Sequence, residues 1–65
     1  MREPANIKVL KILVVDDTPL DRIAYAKALR KRWPTAEIYE ADDKDGALEH
    51  IMVRRLDLLI TDLQL

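Results

Sequence analysis

Apolar residues in this chain fall into three short dense runs, separated by two stretches with helical spacing. Val9, Leu10, Ile12, Leu13, Val14 and Val15 are nearly continuous. That is the pattern of a strand covered on both faces in a parallel sheet, so a central strand is expected over residues 7–15. Asp16-Asp17-Thr18-Pro19 breaks the run; Thr18 suits an N-cap and Pro19 the first helical position, where its missing N–H costs nothing. Leu20, Ile23, Ala24, Ala28 and Leu29 then recur near helical spacing, with Asp21, Arg22, Lys27, Arg30 and Lys31 as a wet face. Trp33-Pro34 closes this helix, because Pro34 cannot join the helical ladder and restricts the residue before it.

Residues 36–41 set Ile38 against Glu37 and Glu40, with Tyr39 amphipathic, which predicts an edge strand with one partly wet side. Asp42-Asp43 offers the next N-cap, and Ala47, Leu48, Ile51 and Met52 form a narrow helical stripe that ends before Arg54-Arg55. Gly46 is tolerable near the start of that helix, at a cost of up to about 1 kcal/mol. Residues 56–60 form the third apolar run, interrupted only by Asp57, and are read as a third strand. The element order is βαβαβ. If the strand order reverses after the second strand, right-handed crossovers place the two helices on opposite faces of a parallel sheet, and the expectation is an α/β fold with strand order 2-1-3, half of a doubly wound architecture. Residues 1–6, with Pro4, read as a loose leader to a single domain spanning residues 1–65.

In that order the first and third strands are neighbours, so Asp16 and Asp17 meet Asp62 at one edge of the sheet although they are far apart in the chain. Carboxylates held together repel one another unless a cation sits among them. Magnesium suits such a place, since it takes about six oxygens in an octahedron and keeps several waters. Asp17 and Asp62 are the expected direct ligands, the backbone carbonyl of Gln64 a third, and Asp16 acts through water. A carboxylate beside the ion can attack a phosphorus atom in line. Asp62, at the end of a rigid apolar strand, is the expected nucleophile. The plainer reading of Asp16-Asp17 is a helix cap or dipole partner, typically worth 0.3–1 kcal/mol, and it is the matching Asp62 that favours chemistry.

Composition narrows the classes. The chain has 65 residues, 49% hydrophobic and 35% charged, which suits a small globular domain and not a disordered segment. A chain of this size hides only about 60% of its unfolded surface, so its stabilising margin is small. The formal net charge of -1 gives no general pull toward nucleic acid or anionic lipid, and no direct nucleic-acid binding is expected. The chain has no cysteine, so disulfides are excluded and a zinc site would rest on His50 and carboxylates alone. No stretch approaches the roughly 20 apolar residues that span a bilayer, and a cytoplasmic location is expected. His50 is read as a helix-surface residue, Trp33 and Tyr25 as packing or rim residues, and Asp42 and Asp43 as caps. Lys27, Arg30, Lys31, Arg32, Arg54 and Arg55 lie toward helix C-termini, where positive charge complements the dipole.

The segments KILVVDDTPLDR, EIYEADDKDGALEHI and LDLLITDLQL resemble the receiver domain of bacterial two-component response regulators, and the likeness runs from Lys11 to Leu65. The resemblance implies a flavodoxin-like fold, a Mg2+ ion, and transfer of phosphate from a histidine kinase or phosphotransfer protein to Asp62. Asp16 and Asp17 match the family's acidic pair. Receivers also carry a Ser or Thr hydroxyl after their fourth strand and a Lys after their fifth, and neither position falls within these 65 residues. Thr61 does not replace the hydroxyl, because it precedes Asp62 and faces the other side of the strand.

The resulting expectation is the first half of a receiver, with a Mg2+ site and a phospho-acceptor aspartate but impaired switching, and with no turnover enzyme activity. Its open third strand and uncovered helix surfaces lead to an expected homodimer, by edge pairing or exchange of elements. The alternative is a self-associating structural half-domain without signalling activity. A phosphotransfer hydrolase is disfavoured, because such enzymes place a second acid two residues beyond the nucleophile, where this chain has Gln64.

Overall fold

The structure is a computed structural model and describes residues 9–61. The expected leader, Asp62 and Gln64 lie outside the described residues. Five elements follow one another: β1 (Lys11–Val15), α1 (Pro19–Arg32), β2 (Glu37–Ala41), α2 (Lys44–Val53) and β3 (Leu58–Thr61). The strands form one parallel sheet in the order β2-β1-β3, as the run pattern predicts. Each strand is shorter than expected. Val9 and Leu10 precede β1, and β3 begins at Leu58 instead of residue 56.

The central strand carries the core. Ile12, Leu13, Val14 and Val15 are all buried, because β1 has a strand on each side and a helix over each face. Leu13 and Val15 pack with Ala41 and Ala47, flanked by Tyr39 and Leu56, beneath α2. Alternation along the strand turns Ile12 and Val14 to the opposite face, toward α1. Complete burial of four aliphatic side chains, at about 1.5–3 kcal/mol each, is the main favourable term in so small a unit.

Helix α1 departs from the expected face. Leu20, Ile23, Ala24 and Ala28 are exposed and Leu29 is half-buried, whereas Ala26 is fully buried. The row turned inward is Arg22, Ala26 and Leu29, at i, i+4 and i+7. Arg22, assigned by spacing to the wet face, is therefore half-buried. A small residue at the point of closest approach lets the helix axis sit near the sheet, so Ala26 takes the place that larger apolar residues were expected to hold.

Helix α2 begins as its sequence predicts. The Asp43 carboxylate accepts a hydrogen bond from the Gly46 N–H at 2.8 Å, an N-cap of the usual kind. A Cβ on Gly46 would lie 3.3 Å from Asp43 Oδ1 and 3.4 Å from the Ala41 Cβ, so the glycine is set by the close approach of cap and strand. Of the predicted stripe only Ala47 is buried; Leu48, Ile51 and Met52 are exposed. No helix among the described residues is long and apolar enough to cross a membrane.

Candidate functional site

The parallel register pairs Val15 with Thr61, so β1 and β3 end side by side at one edge of the sheet. Beyond Val15 the chain turns through Asp16, Asp17 and Thr18 into α1. Asp16 is held from several sides. Its backbone N–H donates to the Ala41 carbonyl at 3.1 Å, and its backbone carbonyl accepts from Arg22 Nη1 at 3.0 Å. Its carboxylate Oδ1 accepts the Thr18 N–H at 2.9 Å, an Asx turn that starts the helix.

The other carboxylate oxygen is different. Asp16 is 1% exposed, and its Oδ2 is buried with no hydrogen-bond partner among the described residues. Burying an ionised carboxylate oxygen without a partner is costly, and an orphaned acceptor of this kind suits a cation or a donor arriving from outside the described set. Asp17 is exposed, and its Oδ1 lies 3.4 Å from the Thr18 hydroxyl. Thr18 occupies the N-cap position of α1 but makes no capping hydrogen bond with its side chain. The turn is closed by the Asp16 carboxylate instead.

Asp16 and Asp17 thus lie together at the exit of β1, and Asp62 is the next residue in the sequence after Thr61, the last described residue of β3. Asp62 and the Gln64 carbonyl themselves lie outside the described residues. Among the described residues no group of three or more His, Cys, Asp or Glu side chains converges. Asp16 and Asp17 offer carboxylate oxygens of the kind a hard cation takes, one of them Asp16 Oδ2, buried and unpartnered within the described set.

Sequence reasoning missed three polar arrangements. Arg22 Nε meets Glu40 Oε1 at 3.3 Å, and Arg30 Nη2 meets Glu40 Oε2 at 3.5 Å. Arg30 also donates to the Ile38 carbonyl at 3.3 Å. The only available signal was a charge in the inward row of α1 facing an acid on the neighbouring strand. Asp57 accepts the Lys11 N–H at 2.9 Å and donates its own N–H to the Lys11 carbonyl at 2.8 Å, locking the start of β3 to β1. His50 is half-buried; its ring lies 5.5 Å from that of Tyr39, with Arg54 stacked over Tyr39 at 4.2 Å. Its Nδ1 is buried with no partner among the described residues.

Comparison with models of known families, with curated proteins and with solved structures returns no match.

Proposed function

We propose that this chain is a receiver segment of a two-component phosphorelay, in which Asp16, Asp17, Asp62 and the Gln64 carbonyl hold Mg2+ and Asp62 accepts a phosphoryl group. The supporting observation is the parallel pairing of Val15 with Thr61 beside an Asp16 whose Oδ2 is buried and unpartnered within the described set. The sequence follows these two paired residues directly with Asp16 on one strand and Asp62 on the other. The resemblance of the three segments to receivers, including their flavodoxin-like architecture, supplies the rest of the reading. It includes a histidine kinase or phosphotransfer protein as donor.

A bound Mg2+ would neutralise charge on the transferring oxygens. In the proposed reaction an Asp62 carboxylate oxygen forms a bond to phosphorus as the phosphorus–nitrogen bond to the donor imidazole breaks, and the leaving nitrogen retains the electron pair and takes up a proton. Asp16 contributes negative charge and a fixed oxygen, and its tie to the Thr18 N–H holds the turn in shape.

The test is a Mg2+ titration followed by backbone NMR, with incubation in a small phosphoramidate donor and mass analysis. Shifts centred on Asp16, Asp17 and Asp62, together with a mass gain of one phosphoryl group that Asp62→Asn abolishes, are expected. An absence of response around the acids, or a mass gain unaffected by Asp62→Asn, overturns the proposal.

A second reading, self-association with another copy of this chain, is favoured by the apolar surface around β3. Leu58 and Leu59 are 44% and 47% exposed, and β3 is an edge strand among the described residues. Two such edges are self-complementary about a two-fold axis. Mass measured by sedimentation across a wide concentration range tests this reading, and a monomer throughout overturns it.

A further inference from the structure

Arg22 is an unexpected residue for its place. It lies in the inward row of α1 with Ala26 and Leu29, and its side chain is only 19% exposed. An apolar residue would serve packing there at lower cost, since a buried guanidinium must be paired and hydrogen-bonded to be tolerated. Two of its partners lie on different parts of the fold. Nε meets Glu40 on β2 at 3.3 Å, and Nη1 donates to the backbone carbonyl of Asp16 at 3.0 Å. Glu40 is itself held by Arg30, at 3.5 Å.

We propose that Arg22 is a positioning residue of the acidic turn: anchored on Glu40, its planar fork fixes the Asp16 peptide and so the direction in which the Asp16 carboxylate faces. The inference rests on the reading of Asp16 as part of a cation site. The Asp16 peptide is clamped at both ends, its N–H on the Ala41 carbonyl and its carbonyl on Arg22. With Oδ1 committed to the Thr18 N–H, the side chain has little freedom left, and Oδ2 is presented in one orientation. Arginine suits this task because its rigid fork reaches two acceptors at once, whereas lysine offers a single flexible ammonium.

The experiment compares the full chain with Arg22→Lys, Glu40→Gln and Leu29→Val, reading Mg2+ affinity from backbone shifts, melting temperature by circular dichroism, and hydrogen exchange at the Thr18 amide. Arg22→Lys keeps the charge near the acids, so any change in affinity reports geometry. Loss of about tenfold in Mg2+ affinity, the scale seen when outer-shell supports of metal ligands are removed, with faster exchange of the Thr18 amide, is expected. Glu40→Gln should move both readouts in the same direction by less. Leu29→Val, in the same helix row but away from the turn, should lower the melting temperature and leave affinity unchanged.

Wild-type affinity and wild-type Thr18 protection in Arg22→Lys overturn the proposal. A loss of affinity that simply follows melting temperature across all three variants also overturns it. If Arg22→Lys fails to fold, Glu40→Gln decides by the same two readouts. If the unmodified chain binds no Mg2+, the cation-site reading falls, and Thr18 exchange still decides the positioning role: faster in the variant supports it, unchanged overturns it.

Discussion

Asp16 combines two environments in one carboxylate. Oδ1 completes an Asx turn with the Thr18 N–H, while Oδ2 is buried and has no partner among the described residues. Asparagine at this position retains an oxygen acceptor for the turn and removes the charge. Asp16→Asn is therefore expected to keep the fold and to lose at least tenfold in Mg2+ affinity. Linkage provides the check, because a ligand present at 100 times its dissociation constant stabilises the folded state by about 2.7 kcal/mol. Melting temperature should rise with added Mg2+ in the unmodified chain and, at the same Mg2+ concentration, reflect about half that stabilisation or less in Asp16→Asn. An equal rise in both would remove Asp16 from the site. Glu40 illustrates the same dependence on surroundings. Its place on a partly wet strand is evident from alternation, yet its pairing with Arg22 and Arg30 depends on how α1 is rotated over the sheet.

Among the elements, α2 shows how a local signal and a tertiary constraint meet. The Asp43 cap on the Gly46 N–H follows from sequence, and Asp43→Ala is expected to cost about 1 kcal/mol in urea unfolding. Alanine at position 46 would ordinarily gain up to about 1 kcal/mol by helix propensity. Here the added methyl group crowds Asp43 Oδ1 and the Ala41 Cβ. Gly46→Ala should therefore change stability by less than about 0.5 kcal/mol, and a gain of the full propensity difference would show that cap and strand move apart freely. In α1 the spacing of Leu20, Ile23, Ala24 and Ala28 predicts an apolar face, but these residues are exposed and Ala26 is buried. Periodicity weights bulky side chains. The distance between helix and sheet instead selects for a small one at the contact.

At the level of the whole molecule, the covered and uncovered parts of the sheet are unequal. Both helices lie against β1 and β2, and β3 has apolar residues on each face. On one side Leu59 and Thr61 join Val15, Ala47, Leu48 and Ile51 around a groove of about 310 Å³. Exposed apolar surface of this sort drives association in water. If copies of the chain associate through it, Leu59→Glu should shift the sedimentation-derived mass toward the monomer at a given concentration, because each interface would then bury a charge. An unchanged mass would place the contact elsewhere. The substitution lies in an exposed position of β3, so the fold should survive it, as far-ultraviolet circular dichroism would verify.

Element order, strand order and the burial of β1 on both faces were legible from the chain alone, as were the Asp43 cap and the break at Trp33-Pro34. These depend on backbone preferences and on the period of apolar residues, both carried within a few neighbouring positions. The proximity of the two strand exits was also legible, since right-handed crossovers leave few ways to arrange βαβαβ, and the pairing of Val15 with Thr61 agrees. The inward placement of Arg22, the clamp on the Asp16 peptide, the lock between Asp57 and Lys11, and the half-buried His50 beside Tyr39 were not legible. Each depends on the separation and rotation of elements distant in the chain. Local spacing carries no record of those quantities, and only the packed fold decides which polar groups find partners and which apolar ones remain in water.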